Sequence, residues 1–270
     1  MNGVTDQQWE QFQAEGWFKL DDPLSDNDLK ALQDEIDAIM LGGAELDYDQ
    51  LDMQLDSTTG TYSDIERLSK GHKGATLNYR KIERLEYDPV FLEYAQRPVF
   101  KDFCTRVYGA DTPISSFRCM FMNKPANRGT WLPWHQDRWN YLERDPLLTV
   151  WTALDPVTIE NGCMQIIPGS HQYGLINPDH GSGFLTEEQA AKFCPDEKRV
   201  YLELEAGEVA LLHNHLLHAS DVNRSGQSRR AFSVCYMDGR TKNIRGDDRH
   251  SPIFGDGALT INDLLTARSS

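Results

Sequence analysis

The sequence predicts a mainly β protein, a sandwich or jelly roll clad by helices. Two observations carry this. Helix-period patterns are confined to roughly the first 110 residues, and at least six short β-rich runs follow Asp111, each bounded by Gly, Pro, Asn or Asp. Helices first and strands after fit one layered β core with helical cladding. No internal repeat or low-complexity linker divides the 270 residues, so a single domain over 1–270 is expected. Within it, 1–110 is helical cladding with a lid segment, 111–240 the jelly-roll core and 241–270 a C-terminal tail.

Taken in order, Thr5 and Gln8 form a capping-box pattern, with Trp9 and Phe12 on one helical face. "GWFKL" (16–20) reads as a short strand. Ser25 and Asp28 open a second helix, whose Leu29, Leu32, Ile36 and Ile39 recur at three and four. Residues 41–78 are rich in Gly, Asp, Ser and Thr without periodicity, the character of a lid or binding loop. "PVFLEYAQ" and "PVFKDFCTRVYG" each begin with the proline that suits a first helical turn. The expected strands are "SSFRCMFMNK", "LLTVWTALD", "GCMQIIPGSH", "RVYLELEAG", "EVALLHNHLLHAS" and "RRAFSVCYMDG", with a polar loop or short helix at 172–197.

Composition narrows the function. Lys plus Arg number 27 against 42 Asp plus Glu, and the net charge of -15 repels phosphate backbones, so no nucleic-acid partner is expected. No apolar run approaches the ~20 residues of a membrane span, and the first residues lack the pattern of a signal peptide. Five widely spaced cysteines without a CxxC pair suggest a reducing, cytoplasmic setting.

The chemistry gathers in "WLPWHQDRWNY" (131–141). His135 and Asp137 sit two apart, so on a strand both side chains share a face. Two histidines and one carboxylate on one face, with positions left open, are what a mononuclear iron(II) centre uses to hold a co-substrate and O2 together. "LLHNHLLHAS" offers His213, His215 and His218 for the third ligand, and periodicity does not choose among them. Arg229 and Arg230 begin the apolar strand "AFSVCYM". One can point inward, where a buried guanidinium needs an anion such as a dicarboxylate.

Six blocks in order, "MNKP" (122–125), "WHQD" (134–137), "VWTALD" (150–155), "ENGCMQIIPGSHQYG" (160–174), "LLHASDVN" (216–223) and "SRRAFSV" (228–234), resemble the phytanoyl-CoA dioxygenase family of iron(II)- and 2-oxoglutarate-dependent oxygenases. The resemblance covers roughly 78–240. It implies a double-stranded β-helix, a jelly roll whose open mouth holds the iron. It makes His218 the third metal ligand beside His135 and Asp137, and these three the catalytic residues. Arg229, eleven residues after His218, would take the far carboxylate of 2-oxoglutarate, with Ser220 beside it. Trp151 and Met120 would line that co-substrate's pocket, with Gln136 and Lys81 near it. The implied reaction hydroxylates an unactivated C–H bond of a small molecule, consuming O2 and 2-oxoglutarate and releasing succinate and CO2. Asp137 favours hydroxylation over halogenation, since halogenating relatives carry a small residue there.

Substrate classes suggested by the resemblance include small zwitterions, aminophosphonates and natural-product scaffolds. Trp131, Trp134, Trp139 and Tyr141 suit an aromatic cage for an ammonium group, or simply pack the barrel mouth. Arg138, Asn140, Asn123, Asn78 and Arg80 are candidate polar contacts, and Arg245 reaches from a tail that, like 41–78, is a candidate lid. Two alternatives stand beside this reading. One is a cupin-like metal enzyme without 2-oxoglutarate, but the glutamate its motif wants is replaced by Ala219 and Ser220. The other is a non-catalytic jelly-roll binding module, against which the full set of expected groups argues.

Overall fold

The computed structural model describes residues 3–246 and 250–268. Helix α1 (Asp6–Glu15) starts at the Thr5–Gln8 capping box and ends at Gly16, whose φ of 81° only glycine adopts without strain. Strand β1 (Trp17–Lys19) follows. Helix α2 (Asp26–Leu41) is capped by the Ser25 hydroxyl, which accepts from the Asp28 amide, and buries Leu32, Ile36, Ile39 and Met40.

The lid segment departs in part from expectation. Residues 41–78 contain β2 (Asp52–Leu55) and β3 (Ser69–Lys70), and β2 pairs with β4 (Tyr79–Glu83). The segment therefore extends a sheet, with Met53 fully buried. A partner strand distant in sequence supplied the order that local pattern lacked. Helices α3 (Pro89–Ala95) and α4 (Pro98–Tyr108) begin at their prolines as expected.

The jelly-roll strands are β5 (Ile114–Lys124), β6 (Leu132–His135), β7 (Leu148–Ala153), β8 (Met164–Ile166), β9 (Val200–Leu202), β10 (Val209–His213), β11 (His218–Ser220) and β12 (Arg229–Asp238), with α5 (Glu187–Phe193) before β9. The tail adds β13 (Ser251–Phe254), which pairs with β5, and α6 (Ile261–Arg268). Strand β13, within the stretch expected as a C-terminal lid, is built into the fold, and residues 247–249 of that stretch lie outside the described residues.

All strand pairs are antiparallel. One sheet runs β1-β10-β7-β12-β5-β4-β2-β3, with β13 beside β5, and the smaller runs β6-β11-β8-β9. Alternation divides the large sheet cleanly. Leu148, Val150, Val209, Leu211, Phe232 and Val234 face the helices in one apolar core. Trp151, Ala153, Ala210, Leu212 and Ala231 face inward against Met164, Ile166 and Leu202 of the small sheet.

One expected strand is two. "EVALLHNHLLHAS" turns a corner after His213, so β10 belongs to the large sheet and β11 to the small one. The corner is held by the Asn214 amide on the Leu147 carbonyl, and by the Asn214 side chain accepting from Thr149 Oγ1 at 2.8 Å. His213 and His218 consequently sit on different sheets.

Candidate active site

The small sheet's edge brings the ligand set together. His135 ends β6, His218 opens β11, and the two are directly paired across the strands. Asp137 follows just after β6 ends, its amide donating to the Asn214 carbonyl at 2.7 Å. Ligand atoms of His135, Asp137 and His218 lie within 4.8 Å of one another. The carboxylate oxygens stand 3.7 Å from His135 Nε2 and 3.8 Å from His218 Nε2.

Both imidazoles are oriented by the backbone. His135 Nδ1 lies 2.8 Å from the Pro133 carbonyl and His218 Nδ1 2.9 Å from the Leu216 carbonyl. A carbonyl only accepts, so each Nδ1 carries a proton and each Nε2 faces the common centre. Burial, then the neighbouring His218, pushes His135 down to about 3, leaving it neutral at physiological pH. Burial raises Asp137, but His218, His135, Arg118 and Lys81 outweigh it and hold the carboxyl below its usual range. Two imidazole nitrogens and one carboxylate, with a free side toward the cavity, fit a divalent iron.

A loop covers His135. Phe184 stacks on its ring, centroids 4.9 Å apart, and bridges its backbone. This approach requires Gly183, where any Cβ would fall 2.1 Å from the Gln136 carbonyl.

A cavity of about 240 Å³ runs from the triad between the sheets. At one end Arg229 on β12 pairs directly across from Lys124 on β5. Arg229 is 6% exposed, its guanidinium 5.5 Å from the Trp151 ring centre. Its Nη1 donates to the Gly162 carbonyl at 3.3 Å, while its buried Nε has no partner. Burial lowers it to about 10. Among the described residues no carboxylate lies within ion-pair distance of Arg229. Arg230 faces the opposite way and is bound by Asp155 at 2.8 Å and by Asp37. The inward, unpaired member of the couplet is thus Arg229. Ser220, Met120 and Trp151 line the same cavity.

The other sequence-derived residues divide. Lys81, Arg80, Asn123 and Trp139 line the cavity. Asn123 is held by the Leu77 and Tyr79 carbonyls, its Oδ1 buried without a partner. Gln136 is elsewhere: its amide donates to the Gly174 and His215 carbonyls and accepts from the Ile176 amide, locking the loop behind the site. Trp134 packs with Ile167, Cys194 and Leu217 in a separate apolar cluster, and Trp131 is half exposed. Arg138 donates to the Pro178 carbonyl. Arg245 lies over Tyr141 and donates to Asn140, outside the cavity wall, and Asn78 is exposed. Of the four aromatics only Trp139 lines the cavity, so they form no cage.

Sequence reasoning missed Arg118, Lys124, Tyr62 and Phe184, all on the cavity wall. For the first two a signal existed. Arg118, Met120, Met122 and Lys124 alternate along β5 and share its inner face. Phe184 and Tyr62 come from loops, where no period applies. His213 lines the cavity but accepts from the His215 amide at 3.0 Å, and His215 pairs with Asp145 at 3.1 Å, so both brace the corner.

Comparison with known proteins agrees with this architecture. The chain is 28% identical over 166 residues to a probable phytanoyl-CoA dioxygenase of Caenorhabditis elegans, covering 58% of this chain and 53% of that one. It is 27% identical over 150 residues to the phytanoyl-CoA dioxygenase of Arabidopsis thaliana, covering 55% and 53%. The matched stretch thus spans about half the length of these curated relatives. Among solved structures, EctD from S. alaskensis with 2-oxoglutarate and 5-hydroxyectoine superposes with a TM-score of 0.70 at 20% identity, over 96% of this chain and 86% of that one. SnoK, an alpha-ketoglutarate-dependent carbocyclase from nogalamycin biosynthesis, gives 0.64 at 19%, over 89% and 86%. These likenesses establish a shared jelly-roll fold. The phytanoyl-CoA dioxygenase family model matches residues 12–231, beginning in α1, well before the blocks legible by eye. This protein belongs to the phytanoyl-CoA dioxygenase family.

Proposed function

We propose that the protein is an iron(II)- and 2-oxoglutarate-dependent dioxygenase that hydroxylates an unactivated C–H bond of a small molecule. The observation that carries this is the convergence of His135 Nε2, His218 Nε2 and the Asp137 carboxylate within 4.8 Å, beside a buried arginine that has no acid of its own. His135, Asp137 and His218 would hold the iron. When bound, iron with 2-oxoglutarate and O2 supplies the oxidation, releasing succinate and CO2.

The chain's own residues then have definite tasks. Arg229 offers two donors to the distal carboxylate of 2-oxoglutarate, with Lys124 paired opposite it on β5. Ser220 supplies a hydroxyl at the same end, while Trp151 and Met120 wall the pocket. Lys81, near Asp137, serves the keto-acid end. Phe184, stacked on His135, keeps bulk water from the triad. A cavity of about 240 Å³ suits 2-oxoglutarate with a small partner such as a zwitterion, an aminophosphonate or part of a natural-product scaffold.

Anaerobic titration with iron(II) and 2-oxoglutarate tests this. The visible charge-transfer band of the chelate should appear in wild type and vanish in His218→Ala. Well-folded wild-type protein without that band would overturn the proposal.

A further inference from the structure

The walls of the cavity are far more basic than 2-oxoglutarate requires. Among the described residues, five cationic side chains line it, Arg80, Lys81, Arg118, Lys124 and Arg229, against one acid, Asp137. Glu83 stands immediately behind, its Oε1 3.5 Å from Arg118 and 3.6 Å from Lys81. Five against two leaves three positive charges. Iron(II) and a 2-oxoglutarate dianion cancel one another, so the excess persists in the loaded site. Burial, then Arg229, drives Lys124 far below its usual value, yet two charges remain if it is neutral. Asp221 pairs with Arg224, while Asp56, held by the uncharged Gly129 amide and Thr130 hydroxyl, acts on Arg80; counting it still leaves one positive charge with Lys124 neutral. This basic interior lies inside a chain of net charge -15.

The excess is concentrated away from the Arg229 end. Arg118 and Lys124 are six residues apart on the inner face of β5, roughly 20 Å of strand. A five-carbon diacid spans only part of that stretch, so a 2-oxoglutarate tail held at Arg229 leaves the Arg118 end of the wall open. Arg118 is moreover prepared as a receptor. Its guanidinium lies 4.8 Å from the Trp139 ring centre and 5.2 Å from that of Phe117, faces that fix its plane. Arg80 stands over the Tyr62 ring at 5.4 Å and donates to Gln54, so no carboxylate neutralises it directly. Arg80, Lys81 and Arg118 share Glu83, with Asp137 acting on Lys81 and Arg118 and Asp56 on Arg80.

On the dioxygenase reading above, we infer that the oxidised substrate is an anion, its carboxylate, phosphate or phosphonate group docking at Arg118 with Arg80 beside it. Arg118 is then a specificity-determining residue. The anion sits on the far side of the triad from the 2-oxoglutarate tail, which places the adjoining carbons of a small molecule toward Asp137.

The test uses the full chain loaded anaerobically with iron(II) and 2-oxoglutarate, with binding followed by calorimetry and by the shift of the chelate band. The probes are methylphosphonate and propionate, with propionamide as the neutral control. At least one anion should bind without displacing 2-oxoglutarate and well ahead of propionamide, and the stronger of the two identifies the headgroup. Arg118→Gln should weaken that anion about tenfold or more, and Arg80→Gln by a smaller factor, with 2-oxoglutarate affinity held within about threefold. Arg118→Lys, which keeps the charge and the balance with Glu83, should recover part of the loss and guards against misfolding. Anions no better than propionamide, competition with 2-oxoglutarate, or equal binding by the variants would each overturn the inference. Absence of the chelate band in wild type would instead defeat the dioxygenase reading, and calorimetry on metal-free protein would still report the anion site.

Discussion

The two faces of the large sheet obey different rules. Its helix-facing side is mostly apolar, with Thr152 bonded to Tyr94 and Arg230 paired with Asp37 of α2: Phe232 is fully buried against Phe91 and Tyr94, with ring centres 4.7 and 5.4 Å apart. Its inner face, on the same strands, carries Arg118, Lys124 and Arg229 at the cavity wall. Strand alternation makes this possible, because neighbouring residues on β12 serve opposite sides. The helix-facing core gains free energy by removing apolar surface from water, whereas the inner face holds buried charges that are costly until a ligand neutralises them. Stability and binding are therefore separable, and the separation can be attacked from either side.

The largest effect comes from the helix-facing side. Phe232→Ala leaves a cavity among Phe91, Tyr94 and their neighbours and should cost about 3–5 kcal/mol in urea unfolding. Iron and 2-oxoglutarate binding by the remaining folded protein should stay within about twofold. A parallel loss of ligand affinity would show that the two faces are mechanically coupled. The opposite experiment is Arg229→Met. It removes a buried cation whose polar contacts are one long bond to Gly162. Metal-free stability should hold or rise slightly, since replacing an unneutralised buried charge with an apolar chain of similar length relieves desolvation. Affinity for 2-oxoglutarate should fall about 10–100-fold, roughly 1.4–2.8 kcal/mol. Unchanged 2-oxoglutarate affinity would remove Arg229 from the pocket, and a marked drop in metal-free stability would assign it to the core.

The same contrast governs what the sequence disclosed. The helix-facing core was legible because it is periodic: Leu32, Ile36 and Ile39 on α2, and the alternating strands. His135 and Asp137 were legible because they are two residues apart. His218 was not, since the corner at Asn214 moves the chain between sheets and cancels the alternation that would have ranked the three histidines. Only the family resemblance singled it out. Arg229 and Arg230 are alike in sequence. What separates them is Asp155 and Asp37, which claim Arg230 from 75 and 193 residues away. Tyr62 and Phe184 arrive on loops placed by distant contacts. Strands β2 and β13 exist because β4 and β5 offer them edges. Arg118 was available to a period-two reading of "RCMFMNK", and the mostly apolar character of that run concealed it.

The smallest effect tests the boundary between the two regimes. Glu86 lies beside the β5–β13 pairing, 5% exposed. Its Oε1 accepts from the Ser251 hydroxyl at 2.9 Å, and its Oε2 is buried without a partner. Burial raises it to about 7, the hydrogen bond from Ser251 and the charge of Arg84 only partly opposing this, while Glu83 adds to the rise. A carboxyl whose folded pKa exceeds its unfolded value of 4.5 binds its proton more tightly in the fold. Its stabilising contribution is therefore complete below about pH 4.5 and is lost as pH climbs through 7. With relaxation of the site the change should be on the order of 2 kcal/mol. Urea midpoints of the wild type should thus fall between pH 5 and pH 8 relative to those of Glu86→Gln, which keeps an acceptor for Ser251 and does not titrate. Parallel pH profiles for the two proteins would mean that water reaches Glu86, and that this stretch of the large sheet is less tightly closed than its contact with Ser251 requires.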